Sequence, residues 1–371
     1  MDWNLGLIVM QGAKELGGQI DRHLVKWAKE QYKSHGDVPE SFVIDAECSR
    51  FASGDGKGVI KESIRGKDLF IVTDVGNYSC TYQFFGKDNR MSPDDHYQDL
   101  KRIIQAASGK ARRISVIMPL LYGGRQHKRN SRESLDSACA LQELERIGVE
   151  NIVTFDAHDP RVQNAVPFLG VDNVIPSYQV LKTLFRSVDK LKTDSEHFMV
   201  VSPDEGAMSR NMYYASILGV ELGMFYKRRD YSRIVNGNNP IAEHKFLGKS
   251  VAGKDVFVAD DMISTGTSML LVAKKLKDHG AKRVFTYATY PFFTDGMEAF
   301  DKAYDAGIID CVLGTNLSYR SPELLKRKWF LEVNVSKYTA YFICAISLNR
   351  SIGELLDPNS KIEMLLKRYG R

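Results

Sequence analysis

The chain has 371 residues, of which 43% are apolar and 26% charged, and carries a net charge of +5. Such a length exceeds what one core usually holds and points to two domains, the apolar balance excludes a disordered or fibrous chain, and the small, scattered charge argues against a wholesale nucleic-acid binder. Residues 1–11 carry Asp2 and too short an apolar stretch for a secretion signal, and no segment reaches the roughly 18 apolar residues of a membrane span, so a cytoplasmic protein without membrane partners is expected. Five cysteines (Cys48, Cys80, Cys139, Cys311, Cys344), widely spaced and without a CxxC pair, read as reduced, mostly buried thiols rather than a disulfide or zinc framework.

In chain order, short apolar runs bounded by Gly, Asp or Pro predict strands at residues 68–73, 113–118, 151–155, 198–201, 222–225, 255–259 and 283–290. Most are continuous rather than alternating, as strands covered on both faces should be. Apolar residues at helical spacing predict helices at 94–108, 134–148, 207–218 and 267–280, with Gly148 and Gly280 as stops. Alternation of the two kinds predicts an α/β protein with mostly parallel sheets flanked by helices. The two halves share this rhythm and divide near residues 167–170, giving domains 1–168 and 169–336, with a helix at 337–355 as a candidate to complete the first. Two stretches break the rhythm, a polar and aromatic segment at 76–92 and a loop at 230–253, each long enough to be functional.

The most informative segment is VFVADDMISTGTSM at 256–269, an apolar strand running into two acids and then a turn that opens a helix. The amides from Ser264 through Thr265, Gly266 and Thr267 to Ser268 form an anion site at a helix N-terminus, and the hydroxyls of Thr265, Thr267 and Ser268 add donors. Asp260 and Asp261, at the strand's carboxyl end, are placed to accept hydrogen bonds from vicinal sugar hydroxyls. Phosphate and diol together describe ribose phosphate. Taken alone, the same segment also fits a plain helix start with two solvated acids.

Two acids, two apolar residues, one variable position and Thr-Gly resemble the PRPP-binding loop of type I phosphoribosyltransferases and of ribose-phosphate pyrophosphokinases, where PRPP is 5-phosphoribosyl 1-pyrophosphate. Four further segments resemble the pyrophosphokinases in their order: GGRQHKRNSR at 123–132, FDAHDP at 155–160, VSPDEG at 201–206 and YKRRD at 226–230. Upstream, residues 50–68 are similar to that family's flag loop and the strand after it, and 337–355 to its closing helix. The resemblance implies two tandem type I phosphoribosyltransferase-like domains and transfer of the diphosphoryl group of ATP to the 1-hydroxyl of ribose 5-phosphate, giving PRPP and AMP, with Mg2+ as cofactor and self-association to a dimer or hexamer.

On that resemblance Lys227 and Arg229 are the catalytic pair, a point charge and a guanidinium fork closing on the transferred phosphates. His158 and Asp204 hold the metal, directly or through water, although Mg2+ prefers oxygen and His158 fits an oriented phosphate contact as well. Arg125 and Gln126 reach ATP, Phe51 stacks on the base, and Ser53 and Asp55 face the adenine and sugar. Several positions depart from the family pattern: Ser264 for an acid, Thr267 for a glycine, Ser53 and Asp55 for Asp and Glu, His127 for an Asp, and extra residues at 76–92. A β-branched Thr267 requires an ordinary backbone region there or strain. The alternatives are a weakly catalytic regulatory paralogue, a phosphoribosyltransferase, and a nucleic-acid-binding regulator on the same fold.

Overall fold

A computed structural model describes residues 4–31, 38–229 and 241–369, with backbone alone at 31, 227–229 and 241–244. The chain divides into two compact units, one of Met1–Pro176, Asn316–Tyr319 and Asn334–Leu356, the other of Ser177–Thr315, Arg320–Val333 and Asp357–Arg371.

The first unit begins with β1 (Leu5–Val9), α1 (Lys14–Gln31), β2 (Ala46–Arg50), β3 (Gly56–Ile60), β4 (Asp68–Val72), β5 (Thr81–Phe84) and β6 (Lys87–Arg90). It continues through α2 (Pro93–Ala107), β7 (Arg113–Ile117), α3 (Asp136–Arg146), β8 (Asn151–Phe155) and β9 (Gly170–Val174). Strands β1-β4-β7-β8-β9 form a parallel sheet in that order. Every residue of β4 is buried, which explains why its sequence is a continuous apolar run after Asp68. Tyr97, Leu100 and Ile104 of α2 and Leu141 and Leu144 of α3 pack on Ile71, Val116 and Ile152. The α2 start is fixed by a reciprocal capping box between Ser92 and Asp95 with Pro93 in the first turn. Strands β2–β3 and β5–β6 form two separate two-stranded hairpins outside the main sheet.

The second unit contains α4 (Ser177–Ser187), β10 (Phe198–Ser202), α5 (Met208–Leu218), β11 (Glu221–Arg229), β12 (Ile241–Leu247), β13 (Asp255–Ile263), α6 (Thr267–Asp278), β14 (Arg283–Pro291), α7 (Glu298–Asp305), β15 (Cys311–Thr315), α8 (Pro322–Leu325) and β16 (Phe330–Val333). Its sheet order is β12-β11-β10-β13-β14-β15-β16, parallel except at β11–β12. Val256 and Val258 pack with Val272 and Leu276 of α6, while Phe257, facing the other way by strand alternation, meets Tyr214 of α5 at 5.2 Å between ring centroids. This sheet is therefore covered on both faces. Part of the expected 230–253 loop is strand: β12 closes antiparallel on β11, and the remainder at 230–240 lies outside the described residues.

The last segment returns to both units. Helices α9 (Ser336–Ser347) and α10 (Gly353–Leu356) belong to the first, where α9 packs on α1 and Tyr341 stacks on Trp27 at 4.4 Å. Helix α11 (Asn359–Tyr369) belongs to the second and packs on α4 and α5. Gly148 and Gly280 end their helices at φ 97° and 86°, as stop residues should. All five cysteines are free, but only Cys80 and Cys311 are buried and Cys139 is exposed.

Each unit carries the same charge device. Arg113, first residue of β7, forks onto Asp68, first residue of the adjacent β4, at 2.8 and 2.5 Å; Arg283 of β14 forks onto Asp255 of β13 at the same distances. Both aspartates are buried. Arg113 also donates to the Ile346 carbonyl and to Asn349, tying the end of α9 to the sheet. Replacing Arg113 alone with Met strands a buried carboxylate and is expected to cost about 3 kcal/mol in denaturant unfolding, whereas Asp68→Leu combined with Arg113→Met recovers most of that loss.

Candidate active site

In the second unit the chain leaves β10 toward β11 on one side and returns to β13 on the other, so the carboxyl ends of β10 and β13 flank a topological switch point, where open α/β sheets bind ligands. Asp204 follows β10, and Asp260 and Asp261 lie in the carboxyl-terminal half of β13. Asn211 of α5 holds the two strand ends together: its amide donates to Ala259 O at 2.7 Å and to Ala207 O at 2.8 Å, and its Oδ1 accepts from Ala259 N at 3.0 Å. Asp204 commits Oδ1 to the Ala207 amide at 3.1 Å, and Ser202 bonds its carbonyl at 2.7 Å. Arg210, on α5, reaches Asp260 at 3.5 Å with its side chain 9% exposed.

Burial, reinforced by the neighbouring Asp261 and Asp204 carboxylates, pushes Asp260 well above the usual carboxylate range, with Arg210 opposing. A half-buried acid under like-charge pressure at a strand end is a candidate for contact with a ligand. Asp260 Oδ1 accepts the Asp261 amide at 2.8 Å, and Asp261 Oδ1 accepts the Met262 amide at 2.9 Å, which turns the strand end toward the loop.

The loop after β13 passes through Gly266 at φ 84° before α6 starts at Thr267. Gly266 takes the left-handed turn, so Thr267 keeps an ordinary helical backbone and the substitution of Thr for Gly brings no positive φ. The hydroxyls of Thr265 and Thr267 lie 3.2 Å apart beside the helix N-terminus, and both side chains are exposed there. The loop is held from behind: Ser264 O accepts from Thr294 N at 2.9 Å and Ile263 O from Phe292 N at 2.9 Å. The arrangement puts exposed hydroxyls and a helix N-terminus, a setting that favours anions, beside a pair of acids.

In the first unit, Arg125 and Gln126 lie in the loop after β7, and His158 in the loop after the neighbouring β8. Arg125 is exposed. The Gln126 amide donates to Ser134 O at 2.9 Å and to Lys128 O at 3.3 Å, stitching its own loop. His158 is exposed, and its ring lies 5.3 Å from that of His127. His127 in turn faces Asp159 at 3.5 Å, and the Arg161 fork on Asp159, helped by its backbone amide, pulls that carboxyl down to about 2. Phe51, Ser53 and Asp55 occupy the tip of the β2–β3 hairpin; Phe51 is 59% exposed and Ser53 donates to Asp55 at 2.6 Å. Lys227 and Arg229 end β11, and their side chains lie outside the described residues. His158 belongs to the first unit and Asp204 to the second.

Sequence reading missed Arg210 and Asn211. In a linear sequence each looks like one more polar residue of an amphipathic helix, and only pairing with β13 gives it a task. Their spacing from Asp204 was the available signal, since residues just past a strand end, inside the first turns of the next helix, face the crevice.

Both sheets are phosphoribosyltransferase-like in class, with acids and an anion-binding turn at the crevice of the second. Residues 5–148 match the model of the N-terminal domain of ribose phosphate pyrophosphokinase, and 174–312 match the phosphoribosyl transferase domain. A ribose-phosphate pyrophosphokinase of Ralstonia nicotianae is 31% identical over 71% of this chain and 76% of its own, and one of Shewanella oneidensis 29% identical over 84% and 91%. The chain belongs to the ribose-phosphate pyrophosphokinase family. The crystal structure of phosphoribosylpyrophosphate synthetase from Mycobacterium smegmatis superposes with a TM-score of 0.72 at 22% identity, covering 93% of this chain and 99% of that one, which shows a common fold.

Two substitutions probe this geometry. A Cβ at Gly266 would lie 2.2 Å from the Phe300 ring as well as forcing a left-handed backbone, so Gly266→Ala is expected to cost about 2–4 kcal/mol in chemical denaturation. Asp260→Asn removes a carboxyl whose raised pKa favours the protonated native form. Stability of that origin is present in acid and lost as pH rises, so the variant should gain about 1 kcal/mol at neutral pH and little at pH 4, measured by thermal unfolding at both.

Proposed function

We propose that the protein catalyses Mg2+-dependent transfer of the diphosphoryl group of ATP to the 1-hydroxyl of ribose 5-phosphate, giving PRPP and AMP, in the cytoplasm and as a self-associated enzyme. The observation that carries this reading is the crevice of the second unit, where Asp260, its neighbour Asp261 and the Thr265–Ser268 turn combine a diol acceptor with a phosphate cradle. The 5-phosphate takes the α6 N-terminus, where amides and the hydroxyls of Thr265, Thr267 and Ser268 complement its charge. Asp260 and Asp261 accept from the 2- and 3-hydroxyls, which fixes the sugar and aims its 1-hydroxyl away from the phosphate.

ATP is assigned to the first unit's residues, with Arg125 on its phosphates and Phe51 on its base. The oxygen donors of Asp204 fit Mg2+, which takes few protein carboxylates and completes its shell with water and substrate phosphate. When bound, that ion neutralises charge on the transferred phosphates. His158, a nitrogen donor, is better suited to a phosphate oxygen. Lys227 and Arg229 supply cationic stabilisation where charge accumulates on the diphosphoryl oxygens, and the proton leaving the 1-hydroxyl passes to solvent or to a phosphate oxygen.

Incubation with ATP, Mg2+ and ribose 5-phosphate should release AMP and PRPP in equal amounts, and Lys227→Ala should lower the rate by about 100-fold or more. No AMP above that variant's background sinks the reading and favours a regulatory paralogue. Parallel incubations with GTP and CTP report how far Ser53 and Asp55 have altered base preference.

A further inference from the structure

Among the described residues, no further strand pairs with the hairpin β2–β3. A lone two-stranded hairpin is marginal in water and needs packing to hold a pose. Its strands are anchored on α2 up to Arg50 and Gly56, the last pair before the turn. Arg50 forms an ion pair with Asp99 at 2.8 Å, Arg102 joins the same carboxylate at 2.7 Å, and Gly56 and Gly58 let the hairpin approach closely, since a Cβ at Gly58 would lie 2.9 Å from the Arg102 backbone. None of these contacts reaches the tip, which carries Phe51, Ser53 and Asp55.

The tip is held by the segment that broke the sequence rhythm. Residues 76–92 contain the second hairpin, β5–β6, and its turn lies against the first: Phe85 N donates to Ala52 O at 3.2 Å. Phe84 covers Gly54, where an added Cβ would come within 2.5 Å of the ring. The Arg50 guanidinium lies 4.9 Å over the Tyr82 ring. Phe85 meets Phe84 edge to face at 4.8 Å while held at φ 47°, followed by Gly86 at φ 72°, a tight turn with both central residues left-handed. Asn or Gly is the relaxed choice at such a position, and a phenylalanine that is 75% exposed there carries both backbone strain and exposed apolar surface. Backing the Phe84 ring against Gly54 gives that residue a purpose.

We infer that β5–β6 is a brace that fixes the tip of β2–β3 and so presents Phe51, Ser53 and Asp55 in one arrangement. The brace stands on contacts within the first unit. Its consequence for nucleotide binding rests on the function proposed above: preorganising the tip lowers the ordering cost of seating a base, so the brace acts on nucleotide affinity and leaves phosphoryl transfer itself alone.

The test compares the unaltered chain with Tyr82→Ala/Phe84→Ala and with Phe85→Asn, whose side chain suits the backbone of its exposed turn. Hydrogen exchange is followed by mass spectrometry on a peptide spanning 50–56, which includes the amides of Phe51 and Gly54, bonded to Asp55 O and Phe51 O. The double variant is expected to exchange about tenfold faster there, with the exchange of β4 and β7 unchanged, and Phe85→Asn to fall between. KM for ATP should rise about tenfold at near-constant kcat and KM for ribose 5-phosphate, and Tyr82→Phe/Phe84→Leu should restore most of it. Unchanged exchange in both variants overturns the brace; a loss confined to kcat overturns its role in nucleotide binding. If the unaltered chain forms no AMP, the functional reading fails and the exchange comparison alone decides the brace.

Discussion

A carboxylate buried at the first residue of one strand and gripped by an arginine at the first residue of the next is the constraint on which both sheets depend. Asp68 with Arg113 and Asp255 with Arg283 occupy equivalent register positions, and each pair sits at the amino end of strands whose carboxyl ends carry the polar chemistry. A slip of one residue would turn both charges away from each other and every apolar side chain to the opposite face. The same strand order in both units, β1-β4-β7-β8-β9 and β10-β13-β14-β15-β16, makes the repetition one of architecture as well as rhythm. Each unit also inserts a hairpin at the same point in that order, β2–β3 in the first and β11–β12 in the second. In the second unit it joins the sheet edge; in the first it stands apart.

At the carboxyl ends the balance reverses. Asp204, Asp260 and Asp261 concentrate negative charge at one crevice with Arg210 as the nearby counterweight to Asp260, so the site is held against its own electrostatics by the surrounding sheet and by the Asn211 bonds. Such a cluster is more costly to the apo fold than apolar or neutral residues would be, and it is relieved by cations, by hydroxyl donors, or by both. The neighbouring helix N-terminus supplies the opposite potential a few residues away, so one loop carries both an acidic and an anion-attracting end.

Much of this was legible in the chain. Continuous apolar runs located seven strands because burial on both faces leaves no polar alternation to misread, and glycines at 148 and 280 marked helix ends because only their backbone tolerates the turn. The acids and the Thr-Gly turn were legible because strand, turn and helix are contiguous. The edge strand β12 was not, since its pairing is with β11 across a long connection and its own pattern, IAEHKFL, is half polar. Gln126 spends its amide on its own loop, a contact that its place in the motif does not announce.

The sequence by itself determined the α/β class, the repeated rhythm and the membership that the motifs announced, because each is written in neighbouring residues. Only the tertiary structure decided that Gly266 rather than Thr267 absorbs the strained turn, that Arg210 and Asn211 serve the β13 acids, and that residues 76–92 fold against the β2–β3 tip. These are contacts between residues distant in the chain or outcomes of backbone geometry, and neither composition nor periodicity encodes which distant partner closes a given surface.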